Sequence, residues 1–307
     1  MYVRVLGSAA GGGYPQWNCN HPNSRRARSS DDAARARTQS SIAVSADGDN
    51  WCLFNASPDL RQQINDNSTL HPKGSLRHSP IKAVLLTNAD VDHVAGLLNL
   101  RESQPLNLYG TDRVLSVLAS NSIFNVLNPK FVNRLQLELD NVVAIKKHDG
   151  EKLNIEVIPF AVPGKVALWM EDEKSGDNFG TVDEDTIALE VRTGTRRFYY
   201  IPACARMTDK LAKRIKGADL VFFDGTLWVD DEMIQEQVGI KTGQRMGHIS
   251  VSGEDGALAS FSQLDIKRKI FIHINTTNPI LADDSPEREV VTGAGWEVSY
   301  DGMEIEL

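Results

Sequence analysis

The chain of 307 residues lacks the features that mark three large classes of protein. It has only three cysteines, Cys19, Cys52 and Cys204, which are too few for the disulfide framework of a small secreted protein. It has no apolar run near the ~18 residues that span a bilayer, and its first residues have the pattern of a strand rather than a signal peptide. It also lacks an excess of positive charge, because its net charge is -8, so we expect no nucleic-acid partner. These absences predict a cytoplasmic protein without a membrane span.

Two charge-rich segments interrupt an otherwise ordinary globular composition. Residues 171–185 are rich in Asp and Glu with few apolar residues, which predicts a mobile acidic loop and makes it a candidate lid over a site. A basic cluster near the N-terminus lies among Ser, Ala and Asp residues, which favours a mobile, solvated loop over an anion site. The members of this cluster are Arg25, Arg26, Arg28, Arg35 and Arg37.

The order of apolar patterns predicts an α/β protein built as one domain, residues 1–307. Paired strands around polar turns are predicted at 38–55 and 186–201, and strand-helix units follow each pair. Because this order occurs twice, we expect two similar halves, roughly 1–165 and 166–307. Each half should contain a mixed sheet covered by helices.

Three apolar strands end in potential metal ligands. Ligands of open α/β sheets lie at strand ends, and the adjacent Asp92 and His93 could face one partner only from a turn. A single Asp or His after a strand more often has only a capping role. Three strands that all end in such residues favour a metal site. In chain order the candidates are Asp92 with His93, then Asp224, then His273.

His248 belongs to a further motif, Met-Gly-His-Ile-Ser at 246–250, which no predicted strand orients. An imidazole titrates near neutrality, so His248 is a candidate proton donor or acceptor in catalysis, with Asp224 beside it as a candidate partner. A purely structural hydrogen bond would account for His248 equally well.

This pattern resembles the metallo-β-lactamase superfamily, whose two sheets meet at a metal site built from strand-end loops. The resemblance implies an αβ/βα four-layer sandwich of two mixed sheets with helices on the outer faces. It also implies that Asp224 takes the place of the bridging aspartate and His273 that of the terminal histidine.

Part of the superfamily's ligand set is replaced in this chain. The motif His-x-His-x-Asp-His falls on Asn88, Asp90, Asp92 and His93, so its first two histidines are missing. Lys165 stands near the place of a further ligand. We therefore expect one metal, held by Asp92, His93 and His273. Asp224 is either a fourth ligand or an acceptor that orients one of the histidines.

A closer resemblance, to the pyrroloquinoline-quinone biosynthesis protein B family, extends along the whole chain. Its motifs match at 7–13, 15–19, 36–41, 55–59, 92–98, 224–233, 246–248 and 272–281. The family commonly carries Trp-Asn-Cys-x-Cys-x-x-Cys, a thiolate cluster suited to structural zinc. Here the three cysteine positions hold Cys19, His21 and Ser24. Cys19 and His21 remain candidate zinc ligands, whereas Ser24 is a poor one.

The resemblance implies a role in making pyrroloquinoline quinone from a cross-linked Glu-Tyr precursor, alongside other proteins of that biosynthesis. Two histidines and one carboxylate on a single metal are typical of non-haem Fe(II) oxygenases. Our first hypothesis is therefore Fe(II)-dependent hydroxylation of the tyrosine ring with O2 as co-substrate, in a protein that could be isolated with Zn(II). Lys165, Arg197 and Arg245 are candidates to bind the substrate's carboxylates.

Two other functions remain open on the sequence alone. Loss of the dinuclear ligand set fits a carrier for the quinone or its precursor equally well. A degenerate zinc hydrolase is the third hypothesis, although such hydrolases generally need the metal position that this sequence lacks.

Overall fold

The structure, a computed structural model, describes residues 1–166 and 179–307. Its strands in chain order are β1 (Tyr2–Gly7), β2 (Ser41–Ser45), β3 (Trp51–Phe54), β4 (Ile81–Leu85), β5 (Leu106–Gly110), β6 (Val132–Gln136), β7 (Val143–Lys146), β8 (Lys152–Lys165), β9 (Phe179–Thr193), β10 (Arg196–Ile201), β11 (Leu220–Asp224), β12 (Arg268–Ile272), β13 (Trp296–Val298) and β14 (Glu304–Glu306). Its helices are α1 (Pro22–Arg28), α2 (Leu60–Asp66), α3 (Val91–Val94), α4 (Asp112–Ser120), α5 (Asp209–Ile215), α6 (Glu232–Gln235), α7 (Gly243–Met246), α8 (Ala257–Phe261) and α9 (Pro286–Gly293).

The described strands form two mixed sheets of matching design. The first has the order β14-β1-β2-β3-β4-β5-β6 and the second the order β13-β12-β11-β10-β9-β8-β7. Each sheet is antiparallel on one side and parallel on the other, with parallel pairs from β3 to β6 and from β10 to β13. The division by sheets falls between β6 and β7, earlier than the predicted boundary at residue 165, and β14 returns to the first sheet.

Three apolar cores separate four layers. Side chains of both sheets, including Phe54, Phe198 and Phe222, fill the core between the sheets, where the Phe54 and Phe198 rings stack with centroids 6.4 Å apart. A second core joins the second sheet to its helices through residues such as Phe261. A third joins the first sheet to residues such as Leu118. The predicted four-layer αβ/βα sandwich is confirmed.

Strand β11 shows how the sequence builds these layers. Its side chains alternate between two apolar surroundings because successive residues of a strand face opposite sides of the sheet. Leu220 and Phe222 belong to the core between the sheets, while Val221 and Phe223 face the helices. All four are fully buried, and burying each large side chain stabilises the fold by roughly 1.5–3 kcal/mol. The same alternation brings Asp224 to the end of the strand.

The turn after β4 depends on a close backbone approach at Gly96. The amide of Gly96 donates to the carbonyl of Ala56, and the amide of Ala56 donates to the carbonyl of His93. A Cβ atom at position 96 would lie 2.1 Å from the carbonyl oxygen of Ser57, closer than real contacts allow. Glycine at this position therefore lets the short helix α3, with Asp92 and His93, pack against the loop that follows β3.

The structure corrects the prediction that the arginine cluster is a mobile loop. Residues Pro22–Arg28 form α1, and Arg26 bonds Asp31 and Asp284. Arg37 is 7% exposed and donates to the carbonyl of Ser299. Asp31 is close to Arg26 in the sequence, but Asp284 and Ser299 lie 258 and 262 residues from their partners, so the local charge pattern gave no sign of these two contacts.

The predicted acidic loop is only partly open to comparison. Residues 171–178 lie outside the described residues, and so does that part of the candidate lid. Asp183 and Asp185 belong to β9 and pair with Arg113 at 3.0 and 2.5 Å, so a mobile loop is wrong for this end of the segment. In the described ranges, no helix combines the length and apolar content that crossing a membrane requires.

Candidate metal centre

Asp92, His93 and His273 meet at one cavity, beyond the ends of strands from both sheets. Asp92 and His93 come from α3, directly after β4, and His273 follows β12. His273 has a φ angle of +60°, a conformation that is uncommon outside glycine and often found at functional sites. The carboxylate Oδ2 of Asp92 lies 3.0 Å from Nε2 of His273. The two halves of the chain thus contact each other through these two side chains.

His93 presents a nitrogen that is available for a metal. Its Nδ1 lies 2.7 Å from Oδ1 of Asn88, so the amide oxygen accepts from the ring and leaves Nε2 without a proton. That Nε2 is buried, and among the described residues it has no hydrogen-bond partner. Burial lowers the pKa of His93 to about 4, which keeps the imidazole neutral. A neutral, oriented and unpartnered imidazole nitrogen is the state in which histidine binds metals.

Asp92 completes a set of three donor atoms with His93 and His273. The ligand atoms of these residues all lie within 4.8 Å of one another, and Oδ2 of Asp92 is 3.8 Å from Nε2 of His93. Burial disfavours the charged carboxylate, but the two histidines outweigh that effect and hold the pKa of Asp92 below its usual value. Burial also opposes charge on His273, yet its hydrogen bond to Asp92 raises the pKa of the imidazole.

The hydroxyl of Thr226 lies at the centre of the second-sheet side of the cavity. Its Oγ1 is 2.7 Å from Oδ1 of Asp224, 3.0 Å from Nδ1 of His248 and 2.9 Å from Nδ1 of His273. Asp224 also accepts from the amide of Cys204 at 2.9 Å and lies 2.7 Å from Nδ1 of His248. Thr226 thus orients His273 so that its Nε2 faces Asp92.

Asp224, His248 and His273 form a second group of potential ligands, whose donor atoms also lie within 4.8 Å of one another. In this group, however, Thr226 and backbone amides already bond both carboxylate oxygens of Asp224. The rings of His248 and His273 stack with centroids 5.0 Å apart. This arrangement supports the second role predicted for Asp224, in which it orients a histidine.

An ion pair occupies the region where the superfamily places its other ligands. Nζ of Lys165 lies 3.4 Å from both carboxylate oxygens of Asp90. Asn88, the other replaced position, accepts hydrogen bonds from His93 and from the amide of Asp90. An ammonium group beside a second metal ion would be strongly disfavoured. The geometry therefore fits one metal better than two.

The cavity beside these ligands has a volume of about 490 Å³, within the range of ordinary small-molecule sites. His248 and Lys165 line it, together with Lys241 and the thioethers of Met233 and Met246. Sequence reasoning missed Lys241. Its only signal was its place between two motifs that the sequence analysis had identified, at 224–233 and 246–248.

Two of the residues predicted to bind substrate do not line this cavity. Arg197 lies near the beginning of β10, opposite Arg192 of β9. The site lies beyond the other end of β10, past Ile201. Arg197 and Ile201 are four residues apart on the strand, which corresponds to about 13 Å. Arg245 is adjacent to Met246, which lines the cavity, but is not itself a lining residue. Only Lys165 of the three predicted cations contributes to the cavity wall.

Cys19 and His21, the candidate ligands of a structural zinc, lie at the start of α1. His21 caps the helix through Nδ1, which accepts from the amide of Asn23, and its Nε2 is 3.0 Å from Oε2 of Glu236. Ser24 instead bonds Thr276. The described residues provide no cluster of three donors that includes Cys19, so zinc binding here stays a prediction.

The comparisons with known proteins agree with the fold. The beta-lactamase superfamily domain matches residues 50–274. Coenzyme PQQ synthesis protein B of Xanthomonas campestris pv. campestris is 54% identical over 307 residues, covering both chains completely. The protein of that name from Gluconacetobacter diazotrophicus is 55% identical over 303 residues, or 98% of each chain.

Solved structures give the same result. The crystal structure of Zn(2+)-bound PqqB from Methylobacterium extorquens matches with a TM-score of 0.95 and 50% identity over the full length of both chains. A diphosphatase of the PhnP family, with a TM-score of 0.69 and 20% identity over 100% of this chain and 96% of that one, shares the fold alone. The chain therefore belongs to the coenzyme PQQ synthesis protein B family, within the beta-lactamase superfamily.

Proposed function

We propose that this protein acts in the biosynthesis of pyrroloquinoline quinone as a mononuclear non-haem iron oxygenase. Its reaction is hydroxylation of the tyrosine ring of a cross-linked Glu-Tyr precursor with O2 as co-substrate. One oxygen atom enters a ring C–H bond, and the other leaves as water with two protons and two electrons from an external reductant. The relatives' names supply the pathway. The observation that carries the chemistry is the buried, unpartnered Nε2 of His93 beside Asp92 and His273.

The three donor atoms suit Fe(II). Two imidazole nitrogens and one carboxylate on one side of an ion leave open positions opposite, the arrangement that non-haem Fe(II) oxygenases use. Iron bound there would supply the activation of O2. Zn(II) also binds nitrogen and carboxylate ligands, and PqqB from Methylobacterium extorquens binds Zn(2+). We expect one such metal per chain, and two metals about 3.5 Å apart would contradict this assignment.

His248 and Asp224 are suited to moving a proton of the substrate. Nδ1 of His248 is held by the carboxylate of Asp224 at 2.7 Å, and the side chain is 12% exposed and lines the cavity. A carboxylate that orients an imidazole also fixes its tautomer and raises its basicity. His248 can therefore accept the proton of the tyrosine hydroxyl while Asp224 stabilises the resulting imidazolium.

The cavity wall also suits an anionic aromatic substrate. Its volume of about 490 Å³ accommodates a small cross-linked amino acid. Lys165 and Lys241 offer ammonium groups for carboxylates, and the thioethers of Met233 and Met246 can contact the face or edge of an aromatic ring. Proteins that make or consume the precursor are the partners we expect, in the cytoplasm.

The decisive experiment is anaerobic reconstitution with Fe(II), followed by addition of O2, a chemical two-electron reductant and a cross-linked Glu-Tyr mimic. We expect mass spectrometry to show oxygen atoms from labelled O2 in the product. Zn(II)-loaded protein and His93→Ala are the matched controls, and both should give no oxygenated product. Tight binding of the quinone without turnover of the mimic by the iron-loaded protein would favour a carrier. Cleavage of the mimic by the zinc-loaded protein would favour a hydrolase.

A further inference from the structure

A buried carboxylate near the cavity, Glu232, has a hydrogen-bond pattern that the proposed chemistry does not use. Glu232 begins α6 and is 5% exposed. Its Oε2 accepts from the backbone amide of Trp228 at 2.5 Å, and its Oε1 accepts from the hydroxyl of Thr277. The backbone N–H is only a donor, so one carboxylate oxygen always faces Trp228. The other oxygen therefore faces Thr277.

This pattern fixes the orientation of the side-chain amide of the next residue in the network, Asn275. A threonine hydroxyl has one proton, and since Thr277 gives it to Glu232, it can only accept from Asn275. Accordingly, Nδ2 of Asn275 lies 2.6 Å from Oγ1 of Thr277 and 3.2 Å from Sδ of Met233. With the amino group directed at these acceptors, Oδ1 is left for the opposite side. Asn275 lines the cavity.

The carbonyl oxygens of two other amides of the cavity wall are already in use. Oε1 of Gln39 accepts from the amide of Gly12 at 3.0 Å, and Oδ1 of Asn88 lies 2.7 Å from Nδ1 of His93. Within the described ranges, by contrast, no residue donates to Oδ1 of Asn275. An amide oxygen that is oriented at a cavity and lacks a protein donor is well placed to accept one from a ligand.

We propose that Oδ1 of Asn275 accepts a hydrogen bond from an N–H or O–H group of the bound molecule, and that Glu232 and Thr277 are positioning residues that set this orientation. The identity of the ligand rests on the function proposed above. An amino group of the Glu-Tyr precursor, or the pyrrole N–H of the quinone, has the required chemistry. Lys165 and Lys241 would bind the carboxylates of the same molecule.

The chain of hydrogen bonds from Glu232 through Thr277 to Asn275, here called the relay, should be reversed by one substitution. A second substitution should then return an acceptor to the cavity. In Glu232→Gln the amide oxygen stays at the Trp228 N–H, so the amide nitrogen donates to Thr277. Thr277 then donates to Asn275, whose amide turns and presents Nδ2 to the cavity. Adding Asn275→Asp returns an oxygen to the cavity, because both atoms of a carboxylate accept. When Glu232 is retained, Asn275→Asp places two carboxylates next to the hydroxyl of Thr277, which has only one proton to donate.

The test is calorimetric binding of pyrroloquinoline quinone and of a cross-linked Glu-Tyr mimic to zinc-loaded full-length protein at pH 8. Burial raises the pKa of Glu232 to about 7, so the carboxylate is ionised at this pH. We expect Glu232→Gln to bind about tenfold more weakly, the effect of about one hydrogen bond. Asn275→Asp alone keeps an oxygen at the cavity and should lose thermal stability rather than this hydrogen bond. The double variant should recover to within about threefold of wild type. Glu156→Gln, at an exposed residue of β8, is the matched control and should change nothing.

Metal content and thermal unfolding of every variant separate this relay from a loss of folding or of metal. Losses that add up in the double variant would refute the relay, and so would unchanged binding by Glu232→Gln. Failure of wild type to bind either probe would refute the ligand class. The test needs no turnover. If the double variant recovers binding but the wild-type protein never hydroxylates the mimic, the inference about Asn275 stands and the proposed reaction is wrong.

Discussion

The two sides of the cavity differ in how many of their hydrogen-bonding atoms are already used. On the first-sheet side, Asn88 holds one nitrogen of His93 and leaves the other buried without a described partner. On the second-sheet side, Asp224 has its carboxylate oxygens bonded to Thr226, His248 and a backbone amide. Burying an unpaired polar atom costs free energy, so the first side is arranged for a ligand from outside. The second side is arranged to orient its own members.

This difference assigns separate tasks to residues that the sequence places in one constellation. His273 connects the two sides, since Thr226 holds its Nδ1 while its Nε2 faces Asp92. A metal on the first side would thus be held by His93, Asp92 and His273, and proton transfer would belong to His248 and Asp224. Substitutions at six positions test this division and the residues around it, in order of decreasing expected effect.

The largest effect should come from removing a nitrogen of the first side or of the connecting residue. His93→Ala and His273→Ala each delete a ligand and admit water, so metal affinity should fall by more than the 10–100-fold that residues behind the ligands typically contribute. Competitive titration with Zn(II) or Fe(II) measures this change. The exposed His71→Ala is the matched control, and full metal affinity in either site variant would end the assignment.

The second effect concerns Glu232 and the pH dependence of stability. Its pKa is raised by burial from an unfolded value of 4.5 to about 7, so the folded state binds more protons between these values. The contribution of Glu232 to the free energy of unfolding is therefore fully present below pH 4.5, and it is lost as the pH rises through 7. The whole change is about 3 kcal/mol.

Glu232→Gln removes this titration. We expect urea unfolding to show a smaller fall in the free energy of unfolding between pH 4.5 and 8 than in wild type. Glu156→Gln, at an exposed residue of β8, should leave the pH dependence as it is. An identical pH dependence in Glu232→Gln and wild type would mean that the carboxyl is not held in a protonated state by burial.

A smaller effect should follow from Asp224→Asn, which weakens the support of His248. If Asp224 orients His248, oxygenated product should fall by about 10–100-fold while metal affinity stays close to wild type. If Asp224 is a fourth ligand, metal affinity should fall as in His93→Ala. Thr226→Val, which removes the central hydroxyl but keeps the side-chain shape, should resemble Asp224→Asn in turnover.

Thermal unfolding shows whether Asp224→Asn remains folded, because its amide group would face a buried backbone donor. Together, metal affinity and turnover separate the two roles that the sequence left open for this residue. Equal losses in both quantities for Asp224→Asn would remove the proposed difference between the two sides of the cavity.

Much of the fold followed from local pattern. The runs that became β4, β11 and β12 are fully apolar toward their ends, and burial on both faces of a sheet requires such runs. The candidate ligands after those strands could be proposed for the same reason, and their donor atoms do lie close together. The directions of the hydrogen bonds in the site could not be predicted from local pattern, because they depend on Thr226 and on Asn275 with Thr277. These residues act through partners that only the folded chain brings together.

The arginine cluster shows the same limit of local reasoning. Charges in a polar stretch usually stay in solvent, and the prediction of a mobile loop followed that tendency. The structure places Arg37 in a buried position whose acceptor, the carbonyl of Ser299, is 262 residues away in the sequence. Sequence patterns locate strands and ligand positions, whereas pairing between distant polar groups requires the three-dimensional structure.

The smallest effect on the site should come from Cys19, which lies outside both sides of the cavity. Its sulfur accepts from the amide of His21 at 3.4 Å, and its carbonyl accepts from Arg28. These contacts link Cys19 to the two ends of α1 and not to the donor atoms at Asp92. Cys19→Ser should therefore keep iron-dependent turnover while losing some thermal stability, or a structural zinc if one binds there. Retained folding with complete loss of turnover would show that the N-terminal loop belongs to the reacting site, and the division into two sides would then need a third member.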